Sequence, residues 1–419
     1  MRLLDIAGLI LGIAAIASWV NARMLKFPPA VGLLVLGMII SLGIGALDQV
    51  APSLGVGSIY SGLLHQVDYS DLVLNFMLAY LLFAGAMNVD LVALRRRAWS
   101  TTALSLISTL ITAILSALAL FTVAAAAGRP IGLAWAFVFG ALISPTDPIA
   151  VLAMTRRVAL APEVRAQLEG ESLFNDGVAV VLFRASLAFA VSHVGGGSII
   201  TLAGHGAIEA LAGALIGALG GTLAILIIRA VDDWPTETLV TLATATVVYA
   251  ASQKLGVSGP IGVVVAGLIA GSPLAERNMS DLTRRHIHPF WRVVDEGLNA
   301  ILFLGLGLKI WDLRGASSDA LVAICAPALI VVARLVSIAA PAAIIRPFGA
   351  QVGPRLIAFL SWAGVRGGLS VAMSLSIPPS PEQRMILAAT MAVAIFSVVV
   401  QSATIERVAL WAGVGRART

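Results

Sequence analysis

The hydrophobic and polar positions of this chain alternate on a long scale. Apolar runs of about 17–25 residues are separated by short polar breaks. The runs fall near 4–21, 28–47, 71–88, 101–125, 131–154, 171–192, 206–229, 237–253, 258–273, 290–310, 319–345, 353–377 and 383–404. A helix of about 20 apolar residues crosses the hydrocarbon core of a bilayer. The pattern therefore predicts an all-α polytopic membrane protein with about 13 transmembrane helices. The run at 258–273 is short and follows its predecessor after only a few residues. No polar stretch is long enough to fold alone, so residues 1–419 are expected to form a single membrane domain with a short tail.

Composition agrees with the pattern. The chain is 59% hydrophobic and 12% charged, against about 25% charged in soluble domains. Its 40 glycines suit closely packed membrane helices. Gly213, Gly217 and Gly221, four apart in an uncharged run, predict a helix-packing face. Trp19, Trp99, Trp234, Trp291 and Trp311 lie at run ends and read as an interfacial belt. The net charge of +5 comes without a dense basic tract, which argues against a nucleic-acid partner. The lone Cys325 allows no intrachain disulfide and no thiolate cluster. The five histidines fall in or beside predicted loops. His286 and His288, two apart, do not share a helical face and read as solvated loop residues. No cofactor is expected.

Charge also sets an orientation. With the N-terminus outside, Lys and Arg in alternate loops number 18 inside and 6 outside. A cleaved first run would reverse every later loop. The positive-inside rule thus predicts a retained first span, N-terminus out and C-terminus cytoplasmic, in a prokaryotic inner membrane. The cations left over are Arg184, Arg334 and Arg366, each inside a predicted span. Arg184 and Arg334 read as snorkelling or structurally paired. Arg366 sits among Gly364, Gly367 and Gly368, which predicts an interrupted helix and close backbone approach.

Two polar stretches carry the candidate chemistry. In Ser144-Pro145-Thr146-Asp147-Pro148, two prolines cannot both sit in an intact helix, so the run 131–154 is predicted to break near its middle. A break frees backbone carbonyls beside the Thr146 hydroxyl and the Asp147 carboxylate, hard oxygen ligands suited to an alkali cation. The second stretch, Glu171 to Gly177, heads the next run. Ser172 and Asp176 are four apart on one helix face; Glu171 and Asn175 are four apart on the adjoining one. An aspartate desolvated there holds either a proton or a metal cation, and that competition is the minimum required for exchange. The other reading of Asp176 is a structural aspartate paired with an arginine.

Ser-Pro-Thr-Asp-Pro followed by Glu-Gly-Glu-Ser-Leu-Phe-Asn-Asp-Gly, from Glu169 to Gly177, resembles the cation:proton antiporter-1 family, the NhaP and NHE type. Further matches are Leu82-Phe83-Ala84-Gly85-Ala86, Val257-Ser258-Gly259-Pro260 with Val265-Ala266-Gly267-Leu268, Leu298 to Gly305, and the glycine-flanked Arg366. The resemblance implies two inverted repeats with crossed broken helices. It implies an ion-carrying core at about 101–192 and 319–404, a dimerisation scaffold at about 1–90 and 237–310, and a linker helix at about 206–229. It further implies Asp176 as the exchanging carboxylate and Ser172, Thr146 and Asp147 as cation ligands. Asn175 would support the crossover, and Glu171 would pair with Arg366. One departure stands out: many relatives carry a glutamate where this chain has Ala84.

The expected activity is secondary antiport of a monovalent cation, Na+ or Li+, for H+, by alternating access in a homodimer surrounded by lipid. One exchangeable carboxylate, with Asn175 rather than a second acid beside it, implies electroneutral exchange. K+/H+ exchange through the same residues and a cation channel are the alternatives. The chain lacks a carbonyl filter motif of the channel kind. It also shows no His/Glu cluster or nucleophile–base pair of an enzyme.

Overall fold

In a computed structural model, residues 3–66, 68–89, 91–147, 151, 158–192, 199–313, 319–345 and 353–417 are described. The helices are α1 (Leu3–Val20), α2 (Pro29–Val50), α3 (Val56–Gln66), α4 (Leu78–Met87), α5 (Leu91–Ala126), α6 (Leu133–Ile143), α7 (Pro162–Ser192), α8 (Ile199–Ala230), α9 (Trp234–Lys254), α10 (Gly259–Ala270), α11 (Asp281–Leu308), α12 (Ala320–Ile345), α13 (Pro354–Trp362), α14 (Gly368–Leu375), α15 (Pro381–Phe396) and α16 (Ser402–Ala412). A π-helical turn at Leu72–Met77 leads into α4, and another at Ser397–Gln401 joins α15 to α16. Two short strands, β1 (Val158–Leu160) and β2 (Gly415–Ala417), pair antiparallel and tie the end of the chain to the segment preceding α7.

Among the described residues, each apolar run falls mainly on helix. Among the described residues, eight helical stretches are long and apolar enough to cross a membrane. The runs outside that set have separate physical reasons. Those at 131–154 and 353–377 are interrupted by non-helical backbone at 144–147 and 363–367. The run at 258–273 yields only the 12 residues of α10, about 18 Å of helix against a hydrocarbon core of about 30 Å. Polar and charged side chains, among them Glu237 and Asp295, dilute α9 and α11.

Other expectations change. The helix carrying the Glu171 motif begins at Pro162, so the motif lies well inside α7 rather than at its mouth. His286 and His288 lie within α11, not in a loop. His286 stacks on Trp234 with ring centroids 4.5 Å apart, and His288 Nε2 lies 3.6 Å from Glu276 Oε1. Trp291 is not interfacial: it is fully buried, and its Nε1 donates to Thr241 Oγ1 at 3.0 Å. Trp19, by contrast, is 64% exposed. Arg184 is exposed and donates to Gln253 Oε1 at 3.3 Å. Pro148, Arg156, Arg157 and His193 lie outside the described residues.

The buried core has two adjoining parts. One gathers α4 to α10 with α12 and the first half of α11; the other gathers α1, α2, the second half of α11 and α13 to α16. Small residues set the helix spacing. Gly213, Gly217 and Gly221 of α8 lie against Ser258, Gly262 and Ala266 at and along α10, and a Cβ at any of the three would collide with that backbone. Gly37 of α2 and Gly307 of α11 make an equivalent crossing. Backbones this close gain dispersion contacts that larger side chains would forfeit. Gly217→Leu is expected to lower stability by about 1–3 kcal/mol through overpacking, read as an earlier thermal transition of the detergent-purified protein. Gly204→Leu, whose Cβ would meet nothing within 4 Å, should leave that transition in place.

Candidate functional site

The site is built where two interrupted helices meet. Proline alone does not explain the interruptions, because α12 contains both Pro327 and Pro341 and stays helical. Membrane helices tolerate proline when neighbours satisfy the freed backbone groups. The break after Ile143 differs in what surrounds it. The Asp147 N–H donates to the Val365 carbonyl at 2.8 Å, joining the two breaks directly. Arg366, fully buried, donates through Nη1 to the carbonyls of Ser144 and, at 2.5 Å, of Pro145. Ser172 Oγ donates to the Thr146 carbonyl. The three carbonyls expected to face a cation therefore each accept a hydrogen bond from the protein. Arg366 acts as a cationic plug on them, its charge offset by the ends of two helices and by the nearby carboxylates of Glu171 and Asp176.

The glycines around Arg366 allow this approach. At Gly367 a Cβ would sit 2.7 Å from Asp147 Oδ2, and at Gly364 it would sit 3.0 Å from Arg334 Nε. Any side chain at Gly367 would displace the Asp147 carboxylate.

The expected pairing of Glu171 with Arg366 is not what forms. Glu171 Oε1 accepts from Arg334 Nη2, and both side chains are buried. Arg334 Nη1 also reaches Ser108 Oγ at 3.3 Å, and Thr112 Oγ1 lies 2.8 Å from Ser337 Oγ. A polar seam thus runs between α5, α7 and α12. The physical reason is reach: α12 lies along α5 and presents its guanidinium to Glu171, while Arg366 is committed to the carbonyls. Asn175, also buried, accepts from the Thr109 hydroxyl through Oδ1.

The other face of α7 looks into a cavity of about 840 Å³. Thr146, Asp147, Ser172 and Asp176 all line it, whereas Glu171, Asn175 and Arg366 do not. Asp147 and Asp176 are partly exposed to it, and the charges bearing most on Asp176 are those of Asp147 and Arg366. Two carboxylates with a hydroxyl beside each give an oxygen-rich, anionic surface fit for a hard monovalent cation.

Residues 11–411 match the family described as sodium/hydrogen exchanger, transmembrane. The chain belongs to that family. It is similar to the Na+/H+ antiporter NhaP of Pseudomonas aeruginosa, 34% identical over 409 residues that make up 96% of this chain and 95% of that protein. It is also similar to the Na+/H+ antiporter NhaH of Halobacillus aidingensis, 33% identical over 66% of this chain and 68% of that one. Its fold is that of the sodium proton antiporter MjNhaP1 of Methanocaldococcus jannaschii, with a TM-score of 0.74 at 22% identity, covering 98% of this chain and 99% of the other. As a member of this transmembrane exchanger family, the protein is an integral membrane transporter.

The cavity of this family member also holds residues that the sequence reading passed over. Asp295, Glu296 and Asn299 of α11 line it, with Arg292 and Asn88. The signal was present: Asp295 and Asn299 are four apart at the head of an apolar run, the pattern used for Ser172 and Asp176.

The Glu171–Arg334 pair gives a stability test. Arg334→Ala strands a buried carboxylate and is expected to cost about 3–5 kcal/mol. The double change with Glu171→Gln should lose less than the two single losses together, measured by thermal unfolding in detergent.

Proposed function

We propose that this protein is a secondary antiporter exchanging Na+ or Li+ for H+. One observation carries the reading: Asp147, Thr146, Ser172 and Asp176 share a single cavity at the junction of two interrupted helices. Asp176 is the exchanging carboxylate. It holds a proton or, with Asp147 and the two hydroxyls, a cation, and each species displaces the other. Asn175 and Glu171 are tied into the α5–α12 seam and hold α7 in place. The names of the relatives, Na+/H+ antiporters matched over nearly their whole length in the Pseudomonas case, support the choice of ions.

The exchange is electroneutral, one cation against one proton, because a single carboxylate is exchanged. Arg165 and Arg292, both exposed, belong to the cavity lining, and the positive-inside count assigns both to the cytoplasmic set. The cavity therefore opens inward, with the N-terminus outside and the C-terminus inside. Alternating access moves the core at about 101–192 and 319–404 against the scaffold at about 1–90 and 237–310. The helix at about 206–229 links them, in a lipid-embedded homodimer of 13-span, inverted-repeat protomers.

Reconstituted vesicles test the reading. Na+ or Li+ added to acid-loaded proteoliposomes is expected to dequench an interior pH dye, with K+ much weaker, and Asp176→Ala should abolish the signal. Full activity in that variant would sink the assignment. Apparent affinity for Na+ should fall as pH is lowered, since protons compete for the same oxygens. A reproducible steady-state current under a Na+ gradient would overturn electroneutrality.

A further inference from the structure

The cavity contains a carboxylate that the antiport reading does not use. Asp295 lines it from α11, together with Asp147 and Asp176, and is half-buried. Its charge interacts with that of Asp147. Among the described residues, no Lys, Arg or His lies within ion-pair distance of it. Its position is fixed all the same. Asn299 Nδ2 donates to the Asp295 carbonyl at 2.9 Å and to its Oδ1 at 3.1 Å, one turn along the helix. An aspartate held in place in the same cavity as Asp147 and Asp176, with no cation among the described residues in contact, is an oxygen ligand free to take a cation from outside.

Two further features of the cavity agree. Ala84 of α4, fully buried, is part of the lining. It stands where the resemblance leads one to expect a glutamate, so that position supplies no carboxylate. Ser370 of α14 also lines the cavity; it is 1% exposed, and its hydroxyl has no hydrogen-bond partner among the described residues. A buried hydroxyl left unsatisfied is costly unless water or a ligand takes it. The cavity thus combines an unpaired carboxylate and an unsatisfied hydroxyl with one carboxylate fewer on its α4 wall.

We propose that Asp295 is a third cation-binding carboxylate of this cavity, supplied by α11 in place of the side chain that Ala84 lacks, with the Ser370 hydroxyl as a neutral ligand in the same cavity. The proposal rests on the antiport reading and sharpens it. The cation is held by ligands from both α7 and α11, so binding spans two helices. Asp176 remains the group that exchanges ion for proton, and Asp295 sets the affinity for the ion. Oxygen ligands from several directions favour a small hard cation that sheds part of its water, consistent with Na+ or Li+.

The test measures initial Na+-driven proton flux in proteoliposomes across a range of Na+ concentrations, alongside Na+ titration calorimetry of the purified protein. Asp295→Asn is expected to raise the KM for Na+ about tenfold, the loss of one charge-assisted contact, while the maximal rate changes by less than about twofold because Asp176 is intact. Asp295→Glu should recover most of the affinity, and Ala84→Glu placed on Asp295→Asn should recover part of it. Calorimetry should show the same weakening without any transport step. Should Asp295→Asn fail to fold, Asn299→Ala, which frees the carboxylate from its anchor, is expected to raise KM in the same direction. An unchanged KM and binding curve in both variants, beside a silent Asp176→Ala, would overturn the role of Asp295 and leave antiport standing. Wild-type vesicles that move no protons with Na+ would overturn both.

Discussion

The structure depends on how one buried guanidinium is neutralised. Arg366 sits at zero exposure where two interrupted helices touch, and its Nη1 donates to the carbonyls that the first interruption frees. An unpaired cation there would cost several kcal/mol, as would two orphaned carbonyls in a water-poor core. Each cost offsets the other. The Asp147 N–H to Val365 carbonyl bond closes the same junction from the opposite side. Irregular backbone survives at membrane depth only where it is satisfied in this way or lines a cavity, and here both conditions hold.

That junction sorts the polar residues into two groups. On one side lie the structural pairs: Glu171 with Arg334, Asn175 with Thr109, Thr112 with Ser337. They fasten α7 to α5 and α12, and their polar atoms face one another rather than solvent. On the other side Thr146, Asp147, Ser172, Asp176 and Asp295 share the cavity wall. A carboxylate with a fixed partner is a poor ligand, because a cation must displace that partner. The same helix α7 serves both groups because residues four apart repeat on one face and neighbours one apart do not.

Much of this was legible without coordinates. The two faces of Glu171 to Asp176, the break near Pro145 and the glycine-lined approach of Arg366 follow from spacing and from what proline and glycine permit. The packing face of Gly213, Gly217 and Gly221 follows from periodicity alone. The resemblance pairs Glu171 with Arg366, whereas Arg334 is the arginine that meets it, and only the position of α12 against α5 decides between the two. Trp291 was misplaced for a related reason: tryptophan near the end of a run is amphipathic enough for an interface, and only the neighbouring Thr241 hydroxyl makes a buried position satisfactory. Asp295 was overlooked although its spacing to Asn299 repeats the Ser172–Asp176 pattern.

The sequence by itself determined that the chain is helical and membrane-embedded, which residues are too polar to lie in lipid without a purpose, and where its helices are prone to interruption. These are local properties: hydropathy over about 20 residues, the missing proline N–H and the period of a helix. Only the tertiary structure decided which buried charge meets which, because charge pairing depends on distances of a few ångströms between segments more than a hundred residues apart. It also decided that the carbonyls freed at 144–146 bond to Arg366 and Ser172, and that Asp295 shares the cavity with Asp147 and Asp176.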